Sequence, residues 1–271
     1  MSPDADWSNM QCNNWIYVVE ELQHTPGAHD GISWNEEINT RYKGASFALN
    51  VCMQIKLPAP TIYVATTLLQ RFYMRFSVKN YHPYNIAATC VFLASKVEET
   101  HRKVDDIVLA CLRVAQKKPT LQLDKQDKDY WKWRDIILFN ETILLEAICF
   151  DLSSFDQPTP FQYLIKYIRQ LFPKLEQPQL HKAAWSFIND SARSHLCLLF
   201  RPSTIAVAAI YQASFLTSVQ IAPPQNASAW WDELGVPLQD IKGVIRIMDE
   251  TYARKQEKIP SHQHAESNSL V

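Results

Sequence analysis

Two stretches of this chain, PYNIAATCVFLASK (Pro83–Lys96) and PSTIAVAAIYQASF (Pro202–Phe215), superpose without a gap. Each opens on proline, and Ile86/Ile205, Ala87/Ala206, Ala94/Ala213 and Ser95/Ser214 coincide. The first carries no charge from Ile86 to Ser95, and a helix with no polar face has to be covered on every side. Its small residues let neighbouring helices come close, as the middle helix of a bundle requires. Two copies in 271 residues therefore predict two helical bundles in tandem.

The surrounding sequence supplies the outer helices. Only five glycines stand against fifteen prolines, and the apolar residues, 47% of the chain, recur at three- and four-residue spacing rather than in alternation. The fold class is all-α, and the prolines mark where helices begin. One helix runs through WNEEINTRYKGASFALNVCMQIKL and stops before Pro58; a second follows Pro60; the uncharged rod is third. A fourth, KVDDIVLACLRVA, has Val104, Ile107, Val108 and Cys111 on one face, and a long fifth, YWKWRDIILFNETILLEAICF, ends in the turn-forming Asp151–Ser154. Beyond it, Thr159-Pro160 starts a second set of five. The division is residues 1–33 as an N-terminal extension, 34–152 and 153–254 as two five-helix repeats, and 255–271 as a disordered tail, with short flexible ends.

Several functions are excluded at this level. A formal net charge of −1 lacks the basic balance of a chain that grips a phosphate backbone, so direct nucleic-acid binding is not expected. The uncharged region from Pro202 to Trp231 loses its apolar character near Leu216 and contains Pro223 and Pro224, so no membrane span is expected. The six cysteines are scattered singly with no C-x-x-C pair, which reads as reduced core residues rather than a disulfide frame or metal site. His262 and His264 fall in the polar tail and are not read as metal ligands. No glycine-rich phosphate loop, H-R-D, D-F-G or G-x-S-x-G is present, so the chain is read as having no catalytic residues and no cofactor.

Two charges sit in odd places. Lys96 ends the uncharged rod, where the second copy has Phe215, so whatever Lys96 does belongs to the first repeat alone. Glu141 has Ile137, Leu138, Leu144 and Leu145 at three and four residues on either side. A carboxylate on such a face is costly unless paired, and Lys96 is a candidate partner. An ordinary exposed salt bridge, worth about 0–1 kcal/mol, is one reading of that pair. A polar pair held ready for another protein is the other.

FLASKVEET closing the middle helix, ILLEAICFDL closing the fifth, and the duplicated five-helix pattern resemble a cyclin over nearly the whole chain. QRFYM (Gln70–Met74), NNWIYVVEELQHTPGAHDG and AWSFINDSARSHLCLLFRPSTIAVA resemble the transcriptional cyclins of the K and T type, in a fungal-like form. The resemblance implies two cyclin-box repeats and a non-catalytic subunit. That subunit binds and activates a cyclin-dependent serine/threonine kinase as a nuclear 1:1 heterodimer, acting indirectly on the C-terminal repeats of RNA polymerase II and promoting transcription elongation. It implies that Lys96 and Glu141, nine residues before Phe150, clasp the kinase's regulatory helix, and that Leu93, Val97, Leu145, Phe150 and Leu152 form an apolar pocket for it. RYKGASF (Arg41–Phe47) departs from the hydrophobic recruitment patch of cell-cycle cyclins, and Gln70 stands where they pair an aspartate with the arginine of the first helix. The alternative from the same fold is a general transcription factor or adaptor that activates no kinase; a DNA-gripping factor of that kind is basic and carries a zinc ribbon, unlike this chain.

Overall fold

The structure is a computed structural model that describes residues 15–122, 124–172, 177–223 and 229–257. Among the described residues every regular element is helical, and no helix is long and apolar enough to cross a membrane. The first unit contains α1 (Trp34–Gln54), α2 (Ala59–Phe72), α3 (Pro83–Val97), α4 (Val104–Gln116) and α5 (Lys128–Ala147). Ser33, His82 and Asp127 cap α1, α3 and α5 by accepting first-turn backbone N–H groups, which satisfies donors that have no partner inside the helix.

The rod is covered as its composition demands. Every residue of α3 from Ile86 to Ser95 is buried, and α1, α2, α4 and α5 all pack on it. Gly44 shows how tight this is: a Cβ there would lie 3.1 Å from both the Leu69 and Pro83 side chains, so α1 meets the start of α3 only because the side chain is absent.

In the second unit α6 (Pro160–Leu171), α7 (Pro178–Ser191) and α9 (Leu238–Glu257) pack on the central α8 (Pro202–Thr217). Between α8 and α9 the described residues hold only one helical turn, Trp230–Glu233, where the first unit has the thirteen-residue α4. Tyr211, Gln212 and Ser214 of α8 are half-buried, whereas Phe92, Leu93 and Ser95 at the matching places of α3 are buried. The two cores are separate, and Tyr63 of α2 belongs to the second.

With few glycines, helices close on other residues. Lys56, Glu99, Lys117, Cys149, Phe150 and Ser218 all have φ between 51° and 55°, and each lies just past the end of a helix.

The segment before α1 does not stand apart from the first unit. Trp15 is buried in its core and donates its indole N–H to Asp151 Oδ2 at 2.8 Å, while Tyr17 N–H reaches Leu198 O of the second unit at 2.7 Å. At the other end α9 continues to Glu257, three residues past the boundary set at 254. Most of the segment read as a disordered tail, residues 258–271 with His262 and His264, lies outside the described residues, as does 1–14.

Candidate functional site

Lys96 falls in the last turn of α3, where the helix dipole favours a cation. On α5, Ile137 and Leu144 face the core and are fully buried, while Leu138 is exposed and Leu145 half-buried. Glu141 lies on the seam between those stripes. Lys96 Nζ donates to Glu141 Oε1 at 2.6 Å, with side chains 43% and 19% exposed. The ammonium also stands 4.0 Å from the ring centroid of Phe92, one turn earlier, a cation–π contact that fixes its direction. A pair this open contributes about 0–1 kcal/mol to folding, too little to be a main support of the fold.

The five apolar residues named with this pair are not equivalent. Leu93 is buried in the first core and cannot present a surface. Val97, Leu145 and Leu152 are half-buried against that core. Phe150 is 62% exposed, although Ile148 two residues earlier is fully buried. The backbone explains the reversal: Cys149 and Phe150 are both left-handed at φ 55°, with Cys149 N–H bonded to Glu146 O at 2.9 Å and Phe150 N–H to Leu145 O at 2.8 Å. Left-handed geometry costs a non-glycine residue roughly 1–2 kcal/mol, so the pair of turns that swings Phe150 outward is a strained feature.

Sequence reasoning missed part of this surface. Leu138, Phe139 (73% exposed) and Trp131 are exposed apolar residues on the same helix as Glu141. The signal was present: Trp131, Leu138 and Leu145 recur every seven residues, a stripe in addition to the one that α5 buries.

The charge run after Lys96 divides into separate tasks. Thr100 Oγ1 pairs with Thr61 Oγ1 at 3.1 Å. Arg102 donates to Ile55 O and Lys56 O just past the end of α1 and to Thr100 O and His101 O in its own loop, at 3.0 to 3.5 Å. Burial pushes the Glu98 carboxyl above the usual carboxylate range.

Arg41, the first-helix arginine, has a partner of its own. It is fully buried and bonds to Glu37 one turn earlier through Nε and Nη2, while Nη2 also donates to Tyr73 O at 2.7 Å. Glu37 takes a further bond from the Thr25 hydroxyl. Gln70 is buried with no partner for its Oε1. The second helix therefore offers Arg41 no carboxylate at Gln70, and Glu37 on α1 itself supplies the counter-ion.

Comparison with known proteins adds an independent line. The family model described as "Cyclin, N-terminal domain" matches residues 14–153, and "Cyclin, C-terminal domain" matches 158–269. Cyclin pch1 of Schizosaccharomyces pombe is 42% identical over 243 residues, 89% of this chain and 70% of that protein. Cyclin-T1-5 of Arabidopsis thaliana is 32% identical, covering 96% of this chain and 44% of its own. Cyclin-K of Homo sapiens is 30% identical, covering 96% and 45%. The chain therefore spans less than half the length of the plant and human relatives. Among solved structures, a chain of the yeast RNA Pol II CTD kinase CTDK-1 complex superposes with TM-score 0.73 at 19% identity, covering 95% of this chain and 79% of that one, a likeness of fold. Two bundles on one plan, each matched by its own half of a two-domain family description, make this chain a member of the cyclin family.

Proposed function

We propose that this chain is the regulatory subunit of a cyclin-dependent kinase that phosphorylates the C-terminal repeats of RNA polymerase II, in a nuclear 1:1 heterodimer. The observation that carries the reading is the Lys96–Glu141 pair, standing open where α3 meets α5, with the ring of Phe150 exposed just past the end of α5. Relatives named as K- and T-type cyclins, and a fold shared with a chain of a CTD kinase complex, support the class of kinase.

In this reading Lys96 and Glu141 hold polar groups of the kinase's mobile helix. Val97, Leu145, Phe150 and Leu152 receive an apolar side chain from it, and Leu93 supports them from below. Holding that helix inward sets its glutamate on the ATP-positioning lysine, which phosphoryl transfer requires. The chain contributes binding energy and no chemistry. Capture of the tagged chain from native extract, with partners identified by mass and the complex assayed on C-terminal repeat peptides, tests this. Recovery of a transcriptional kinase active on those peptides is the expected result, and recovery of no kinase contradicts it.

A further inference from the structure

A second unusual cation lies between the two units. Arg71, in the last turn of α2, is 8% exposed. Its guanidinium carbon stands 4.9 Å from the Trp15 ring centroid and 4.6 Å from that of Phe155, and Nη1 donates to Ser154 Oγ at 2.6 Å. Nε is buried without a partner. Among the described residues no carboxylate lies within ion-pair distance of it. Asp151, the carboxylate that acts on it from further off, is held by the Trp15 indole, the Ser153 hydroxyl and the Ser154 N–H. Burial pulls the Arg71 pKa down, the sign of a charge short of compensation.

Arg71 lines a cavity of about 270 Å³ between the units, together with Arg201, Ser203, Ser154, Thr159 and Tyr163 among others. Its lining includes two arginines and no carboxylate, and the Cys197 thiol there is pushed up to about 11, so it too is neutral at physiological pH. The cavity also meets the start of the sixteen-residue α8. Arg201 occupies the N-cap without a side-chain cap and Pro202 follows, so the first-turn N–H groups and the positive end of the helix dipole have no capping side chain. A buried guanidinium with no ion-pair partner, an uncapped helix N-terminus and the Ser203 hydroxyl around one cavity are the elements of an oxyanion site.

We propose that this cleft binds a phosphoryl group, held by Arg71, by the first-turn N–H groups of α8 and by the Ser203 hydroxyl. The cavity has room for the group and for the side chain that carries it, so the source is either a phosphorylated protein residue or free phosphate.

The test is thermal melting of the full chain in sodium phosphate and in N-acetyl-phosphoserine amide, each against sodium chloride at matched ionic strength. A saturable rise in Tm with either phosphorylated ligand, absent in chloride, is expected. The tighter of the two identifies the source. Ser203→Glu places a carboxylate at the mouth of the cavity and at a helix N-terminus, where it does not harm folding. It should weaken the apparent affinity at least tenfold, and Arg71→Lys should weaken it as well. A rise equal to that in chloride, no response to either ligand, or a Ser203→Glu chain that responds like the parent would each overturn the proposal.

Discussion

Lys96 of α3 and Glu141 of α5 meet at 2.6 Å across 45 residues of sequence, at a place where the pair adds little to folding. In the proposed function this geometry, with the ammonium also fixed over Phe92, is a preformed clasp. Residues that hold the first unit together are, in that reading, distinct from those that face a partner.

Leu93 belongs to the former. Leu93→Ala should destabilise the free chain by about 2–5 kcal/mol, the usual cost of emptying a buried leucine site. Urea unfolding measures this, and a loss below about 1 kcal/mol would show that Leu93 is not in the core.

Phe150 belongs to the latter. Its ring is mostly solvent-exposed, so Phe150→Ala should leave Tm of the isolated chain within error. The same change should weaken kinase binding by more than about 1 kcal/mol, as aromatic anchors do. Calorimetry on both the free chain and the complex decides it.

The Arg41–Glu37 pair should behave as a buried ion pair with one partner removed. Glu37→Ala leaves the guanidinium buried without its counter-ion and should cost about 3–5 kcal/mol in chemical denaturation. Gly27→Ala should also destabilise the chain, because its new Cβ would lie 2.5 Å from Glu37 Oε2.

His195 gives the fold an acid limit. The ring is buried edge-on to Trp34, and burial, with Arg41 and Arg254 nearby, pulls its pKa down from 6.5 to about 3. Between those values the unfolded chain binds a proton that the folded chain does not. This contribution is therefore complete above pH 6.5 and falls as pH drops, by about 1.4 kcal/mol per unit. Urea unfolding at pH 7 and pH 5 should show a smaller loss for His195→Gln than for the parent chain; equal losses would place the acid sensitivity elsewhere.

Much of this was legible in sequence because it is periodic. The lack of charge from Ile86 to Ser95 has one physical solution, burial on all sides, and α3 adopts it. The approach of Lys96 to Glu141 was legible because both stand where charge is anomalous. What was not legible depends on the backbone path beyond the periodic segments. The outward turn of Phe150 comes from two left-handed residues that no glycine announces, and the placing of Trp15 depends on long-range contacts with Asp151, Arg71 and the first core. With Gln70 at the second-helix position the partner of Arg41 was left open, although the i, i+4 spacing of Glu37 and Arg41 already offered one.

The central claim is that the Lys96–Glu141 pair clasps a kinase, and the affinity of Glu141→Ala for the kinase captured by the parent chain tests it most directly. Charge-assisted hydrogen bonds are worth about 1.5–3 kcal/mol each, so the variant should bind at least tenfold more weakly, mainly through faster dissociation. Its own Tm should stay level or rise. Kinase affinity equal to that of the parent chain, with the fold intact, would contradict the account.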